Sequence, residues 1–136
     1  MMHLDLDFFK EINDELGHAA GDMVLKRVGE VLRDEVREHD LAVRIGGDEF
    51  VLVLRNCDDP IYIQRIAKRV IGRLEEPMMI ADQARTISAS AGSTRSTLYD
   101  QPNAETMLHD ADFALYASKR AGRAKHTFYR PGMAHD

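Results

Sequence analysis

Two short apolar runs, Leu41 to Ile45 and Phe50 to Leu54, are separated only by Gly46-Gly47-Asp48-Glu49. Both runs are rich in strand-forming residues, and paired glycines in so short a link mark a hairpin. An antiparallel strand pair is therefore fixed near residues 41–54, and the rest of the chain must pack on it. Leu4 to Asp7 reads as another short strand. Phe9, Ile12 and Leu16 sit at helical spacing, with Gly17 as a stop. A second helix is expected from about Asp22, with Val24, Val28, Val31, Leu32 and Val36 on one face.

Downstream, Asp59-Pro60 is a helix start, a cap followed by proline at the first helical position. Ile63, Ile66, Ala67, Val70, Ile71 and Leu74 give that helix an apolar stripe. Met78 to Ala81 and Thr86 to Ser90 read as two strands about Asp82-Gln83. Asn103 can cap a last helix whose Met107, Leu108, Ala111, Ala114, Leu115 and Ser118 face inward, ended by Gly122. Thr127 to Tyr129 makes a final strand. The order β, α, β, β, α, β, β, α, β predicts an α/β (α+β) fold. Its start matches the ferredoxin-like, split βαβ arrangement: a mostly antiparallel sheet flanked by helices.

The 136 residues suffice for one core, expected over 1–130, with 131–136 a tail or the start of a linker. No apolar run is long enough to span a bilayer. The single cysteine, Cys57, cannot form an internal disulfide and fits a reducing, cytoplasmic compartment, although a parent protein could be membrane-attached. A net charge of −5 argues against nucleic acid held by bulk electrostatics. Phosphates would need a metal ion, a few cations or backbone amides.

Acidic residues gather in two places. Asp5 and Asp7 lie two apart in a strand and so share a face, with Leu4 and Leu6 on the other. Asp48 and Glu49 occupy the hairpin turn. In a split βαβ fold the first strand and this hairpin can be neighbours. The two pairs then converge as oxygen ligands for one or two hard cations, and through them a nucleoside triphosphate. From spacing alone, a solvated strand end and a polar turn are the simpler account.

The residues themselves carry more. Arg44-Ile45-Gly46-Gly47-Asp48-Glu49-Phe50 matches the signature of the GGDEF family, the diguanylate cyclases. Asp5-Leu6-Asp7-Phe8-Phe9-Lys10-Glu11-Ile12-Asn13-Asp14 and Gly17-His18-Ala19-Ala20-Gly21-Asp22 resemble that family's first strand and the segment after it. Ser90-Ala91-Gly92 resembles its late strand. Ala111-Asp112 to Tyr116, Lys119 and Gly122-Arg123 resemble its last helix. The motifs run in order from Asp5 to Tyr129, and the resemblance implies the palm-type nucleotidyl cyclase fold.

It also implies a reaction: two GTP condense to cyclic di-GMP and two pyrophosphates across a homodimer, assisted by Mg2+ (or Mn2+). Asp5, the backbone carbonyl of Leu6, and Asp48 match the metal ligands. Asp48 is also a candidate for deprotonating the attacking hydroxyl, and Glu49 for tuning the site. Gly46 and Gly47 would let a phosphate approach the backbone. Asn13 and Asp22 match the guanine-reading pair. Lys119 and Arg123, four apart and so on one helix face, match the cations on the terminal phosphates. Phe8, Phe9 and Lys10 would wall or neighbour the nucleotide. Arg37 and Asp40 match an RxxD site where cyclic di-GMP binds as product inhibitor.

Departures from the family pattern are few. The helix and Asp-x-Leu-Thr-Gly-Leu segment that precede the family's first strand are not in this sequence. That implies exposed apolar surface and self-association. Ala124 stands where Asn or Asp is frequent. Phe128-Tyr129-Arg130-Pro131 resembles the junction to a following EAL phosphodiesterase domain. The alternative function is a catalytically silent GTP- or cyclic di-GMP-binding regulatory module of a larger signalling protein, GGDEF-EAL proteins included. His3, His39, His109, His126 and His135 show no metal-ligand spacing.

Overall fold

The computed structural model describes residues 1–133, so the last three residues of the tail, His135 among them, lie outside the described residues. Seven strands and four helices follow one another: β1 (Met2–Asp7), α1 (Phe9–Leu16), α2 (His18–Glu35), β2 (Leu41–Arg44), β3 (Glu49–Val53), α3 (Pro60–Leu74), β4 (Met78–Ile80), β5 (Gln83–Arg85), β6 (Ser88–Ser93), α4 (Ala104–Arg120) and β7 (His126–Phe128). Five strands form one sheet in the order β2-β3-β1-β6-β7. All its pairings are antiparallel except β6 with β7. The mixed α/β sheet flanked by helices is the architecture read from the sequence.

Alternation along β1 divides this sheet chemically. Met2, Leu4 and Leu6 are buried beside Phe50, Leu52, Ala89 and Ala91, against the apolar stripes of α2 and α3. His3, Asp5 and Asp7 take the opposite face, where their register partners are Val51, Glu49, Ser90, Gly92 and Ser88. α4 packs on that second face across β1, β6 and β7. Gly92 is what lets it approach. A Cβ there would lie 2.1 Å from the Leu115 backbone nitrogen and 2.4 Å from the Ala111 carbonyl oxygen. Ser118 completes the seam by donating its hydroxyl to the Ala91 carbonyl at 2.7 Å.

Several boundaries differ from those expected. α2 begins at His18 rather than near Asp22, directly after Gly17, and its Val36 is an extended C-cap residue. Met78–Ile80 does not pair with a strand at 86–90. It pairs with Gln83–Arg85 in a separate hairpin whose turn residues Ala81 and Asp82 both have positive φ, as a tight primed turn requires. The main-sheet strand then runs to Ser93, because its small residues pair with β1 and lie beneath α4. A 3-10 turn at Ser96–Leu98 carried no periodic signal.

Candidate functional site

The carboxylates converge. β1 and β3 pair Asp5 with Glu49, and the Leu6 amide donates to the Asp48 carbonyl at 3.1 Å, locking the signature turn to the end of β1. Arg44 holds the turn from behind. Its guanidinium donates to the carbonyls of Gly46 at 3.0 Å and Gly47 at 3.0 Å. Gly46 is needed locally, since a Cβ there would meet the Glu49 carboxylate at 2.8 Å, whereas a Cβ at Gly47 would point into open space. Neither glycine has positive φ.

Asp5 and Asp7 share a face as expected, but their environments are opposite. Asp7 is fully buried and fully partnered. It accepts from Ser88 Oγ at 2.5 Å, Ser90 Oγ at 2.8 Å, Lys119 Nζ at 3.1 Å and the Ala124 amide at 3.2 Å. Burial pushes its carboxyl up, but the two hydroxyls and the Lys119 ammonium outweigh burial and hold it below the ordinary carboxylate range. Asp5 has a buried Oδ1 with no hydrogen-bond donor and only Lys119 Nζ at 3.6 Å. Burial, and after it the neighbouring Asp48 and Glu49 carboxylates, push Asp5 up to about 7 despite Lys119. An orphaned buried carboxylate oxygen among three acids is a place for a cation with oxygen preference.

Beside these acids, α1 starts without a side-chain cap. Its N-cap, Phe8, has φ 60 in the left-handed region, so the first amides of the helix are not answered by a side chain. Such amides favour an anion. Phe8 is 57% exposed, and the Arg123 guanidinium lies over its ring at 4.9 Å. Phe9 is buried in the core instead, and Lys10 is exposed on the first turn of α1.

The whole of residues 1–125 matches the family model described as "Diguanylate cyclase, GGDEF domain". The chain belongs to the GGDEF domain family. It is 41% identical over 126 residues to diguanylate cyclase TpbB of Pseudomonas aeruginosa, covering 90% of this chain and 28% of that protein. It is 38% identical over 137 residues to the probable diguanylate cyclase DgcE of Escherichia coli, covering 98% of this chain and 12% of that protein. The chain thus spans well under half the length of these curated relatives. Among solved structures, the GGDEF domain of TpbB (YfiN) superposes with a TM-score of 0.88 at 37% identity, covering 95% of this chain and 75% of that one. The GGDEF domain of DgcB from Caulobacter crescentus, in complex with c-di-GMP, gives 0.85 at 28% identity, covering 94% and 75%.

Within the GGDEF frame the remaining expected residues fall as follows. The Asn13 side chain lies against Gly21, where a Cβ would come within 1.8 Å of its Oδ1, and Asp22 is the next residue of α2, exposed to solvent. Lys119 and Arg123 do not share a helix face. α4 ends at Arg120, and Gly122, Arg123 and Ala124 all turn through positive φ, so Arg123 reaches Phe8 from a loop. Arg37 and Asp40 are engaged with each other, guanidinium to carboxylate at 3.0 and 3.1 Å. Asp40 also accepts from the Arg37 amide at 2.9 Å and the Arg55 amide at 2.9 Å. Burial raises Asp40, but Arg37 and the two amides outweigh it and hold the carboxyl low.

Three features escaped the sequence reading. The Ser88-x-Ser90 alternation that solvates Asp7 was visible as period two, but nothing in sequence places it opposite β1. The grip of Arg44 on its own turn is a local contact with no spacing rule. His3 shares the parity of Asp5 and Asp7, which could have put it on the acidic face.

Proposed function

We propose that this chain is the catalytic domain of a diguanylate cyclase, condensing two GTP into cyclic di-GMP with release of two pyrophosphates. The observation that carries the reading is the convergence of Asp5, Asp48 and Glu49, with an orphaned buried oxygen on Asp5, beside the uncapped start of α1. Asp5, the Leu6 carbonyl and Asp48 would hold a divalent cation, Mg2+ or Mn2+. When bound it offsets phosphate charge and lowers the pKa of a nearby hydroxyl.

The chain's own residues do the rest. The first amides of α1, with Lys10, Lys119 and Arg123, bind and orient the phosphates. Lys119 Nζ is held on Asp7, so it faces the cleft without a search among rotamers. Asn13 and Asp22 read the guanine edge, a carboxylate accepting from its two neighbouring donors. Asp48, on a turn fixed by Arg44, takes the proton of the attacking 3′-hydroxyl in this reading, and Glu49 tunes it. Each subunit supplies one GTP, so turnover needs a homodimer. Arg37 and Asp40 supply the product-inhibition site, and Asp40 must release Arg37 to accept a guanine.

The test is GTP turnover in Mg2+, scored by chromatography for cyclic di-GMP at several protein concentrations. Product rising more steeply than protein concentration supports a cyclase acting as a transient dimer. Absence of product from folded wild-type protein that still gains thermal stability with GTP would refute catalysis and leave a binding module.

A further inference from the structure

Across the seam between β1 and α4, three potential ligands meet. His3 Nε2 lies 3.2 Å from Glu49 Oε1, and His3 Nδ1 lies 3.2 Å from Asp112 Oδ1. With one atom taken from each residue, the three lie within 4.8 Å of one another. The imidazole is only 4% exposed, yet neither ring nitrogen makes a hydrogen bond to a partner. A buried imidazole without hydrogen bonds is costly, and here its two nitrogens face two carboxylates at ion-pair distance. Among the described residues no lysine or arginine pairs with Glu49 or Asp112.

We infer that His3, Glu49 and Asp112 form a second cation site, for a divalent transition metal of the zinc class. Two ligand atoms bound at about 2.1 Å and about 100° apart lie about 3.2 Å from each other. Either contact taken singly, Nε2 with Glu49 or Nδ1 with Asp112, has that spacing without hydrogen-bond alignment. One imidazole with two carboxylates suits Zn2+, Co2+ or Mn2+ better than Mg2+, which prefers oxygen and water. Neutral imidazole, two carboxylates and one dication sum to zero charge.

The two ring nitrogens lie on opposite edges, so one ligates and the carboxylate facing the other must swing round. Asp112, 62% exposed on α4, has room to do so. An ion reaches the site from a cleft of about 320 Å³ lined by Asp5, His109, Asp112, Leu115, Tyr116 and Lys119. The Asp5–Asp48 pair does not supply the nitrogen ligand, so the two sites share only Glu49, and the inference does not depend on the cyclase reading.

Tag-free protein is titrated with Co2+ in the absence of nucleotide, following the visible d–d absorption, and with Zn2+ by calorimetry. One ion per chain is expected at this site, distinct from any ion held by Asp5 and Asp48, with affinity reduced by roughly 100-fold or more in both His3→Leu and Asp112→Asn. Asp5→Asn and Asp48→Asn should retain the Co2+ spectrum even where GTP turnover is lost, which separates this site from the proposed active site. If His3→Leu fails to fold by circular dichroism, the exposed Asp112→Asn decides alone. Binding unchanged in Asp112→Asn, no binding to wild type, or equal loss in Asp5→Asn each overturns the inference.

Discussion

Replacing Asp5 by Asn should stabilise the metal-free protein, and the gain should depend on pH with a defined sign. In the folded chain the Asp5 carboxyl is pushed from 3.8 to about 7 by burial and by Asp48 and Glu49. An acid whose folded pKa lies above its unfolded one binds more protons when folded. The charged form is the one the fold resists, so stability falls as pH rises from about 4 to about 7 and the cost is complete above that. A displacement of this size corresponds to at most about 4 kcal/mol. That displacement already includes the pull of Lys119 at 3.6 Å, and the side chain is 21% exposed, so solvent screening reduces the cost further.

Asn keeps the size of Asp5 and removes the charge, while Lys119 remains on Asp7. A gain of about 1–3 kcal/mol at pH 8 is expected, or roughly 3–10 °C in Tm for a domain of this size. The assay is urea and thermal unfolding in EDTA from pH 4.5 to 8.5. The difference between variant and wild type should shrink toward zero at the acid end. Adding millimolar Mg2+ should then raise the Tm of the wild type far more than that of the variant. A variant less stable than wild type at pH 8 in EDTA, or a gain that does not change with pH, would refute the reasoning.

Other substitutions test other joints of the structure. Asp48→Asn should abolish cyclic di-GMP formation while leaving the Tm within about 3 °C of wild type, read by chromatography and differential scanning calorimetry. Gly92→Val forces a side chain into the backbone of α4 at Leu115 and should cost about 3 kcal/mol or more, seen as loss of the folded baseline in urea titration. Ala124→Asn places a residue tolerant of positive φ at φ 53 and should stabilise by about 1 kcal/mol in the same titration. Asp40→Ala leaves two backbone amides unanswered and Arg37 with only the Arg55 carbonyl and the Tyr62 ring, and should cost about 2 kcal/mol, measured by chemical denaturation.

What the sequence disclosed depended on the range of the contact. The apolar stripes of α3 and α4 and the hairpin of β2 and β3 are local patterns, and they appear where their periods place them. The pairing of Asp5 with Glu49 spans more than forty residues of chain; a split βαβ topology allows the first strand to neighbour the hairpin, whereas spacing alone favours a solvated strand end and a polar turn. Boundaries were less legible. Residues 78–93 contain three strands rather than two, since the positive φ at both Ala81 and Asp82 closes a small hairpin that an apolar count does not register. Arg123 was assigned to a helix face because spacing of four is a helical rule. α4 ends at Arg120, and the loop through Gly122 carries Arg123 to Phe8 instead.

One physical division accounts for both the legible and the hidden parts of the site. The α2–α3 face of β1 and its neighbours is apolar apart from Ser93 and His126, which hydrogen-bond each other beside Gln64 of α3, so hydrophobic period predicts most of it. The α4 face is polar: His3, Asp5 and Asp7 stand in a row on one strand. Each such group must find its own answer under the helix. Asp7 finds it in serines, a lysine and a loop amide, and is finished. Asp5 and His3 do not, and their buried atoms remain without hydrogen-bond partners. In an interior where such atoms are expensive, the incompletely answered positions in that row are where ligands belong. Close packing through Gly92 brings α4 down on this face and sets His3 within reach of its Asp112 and Asp5 within reach of its Lys119.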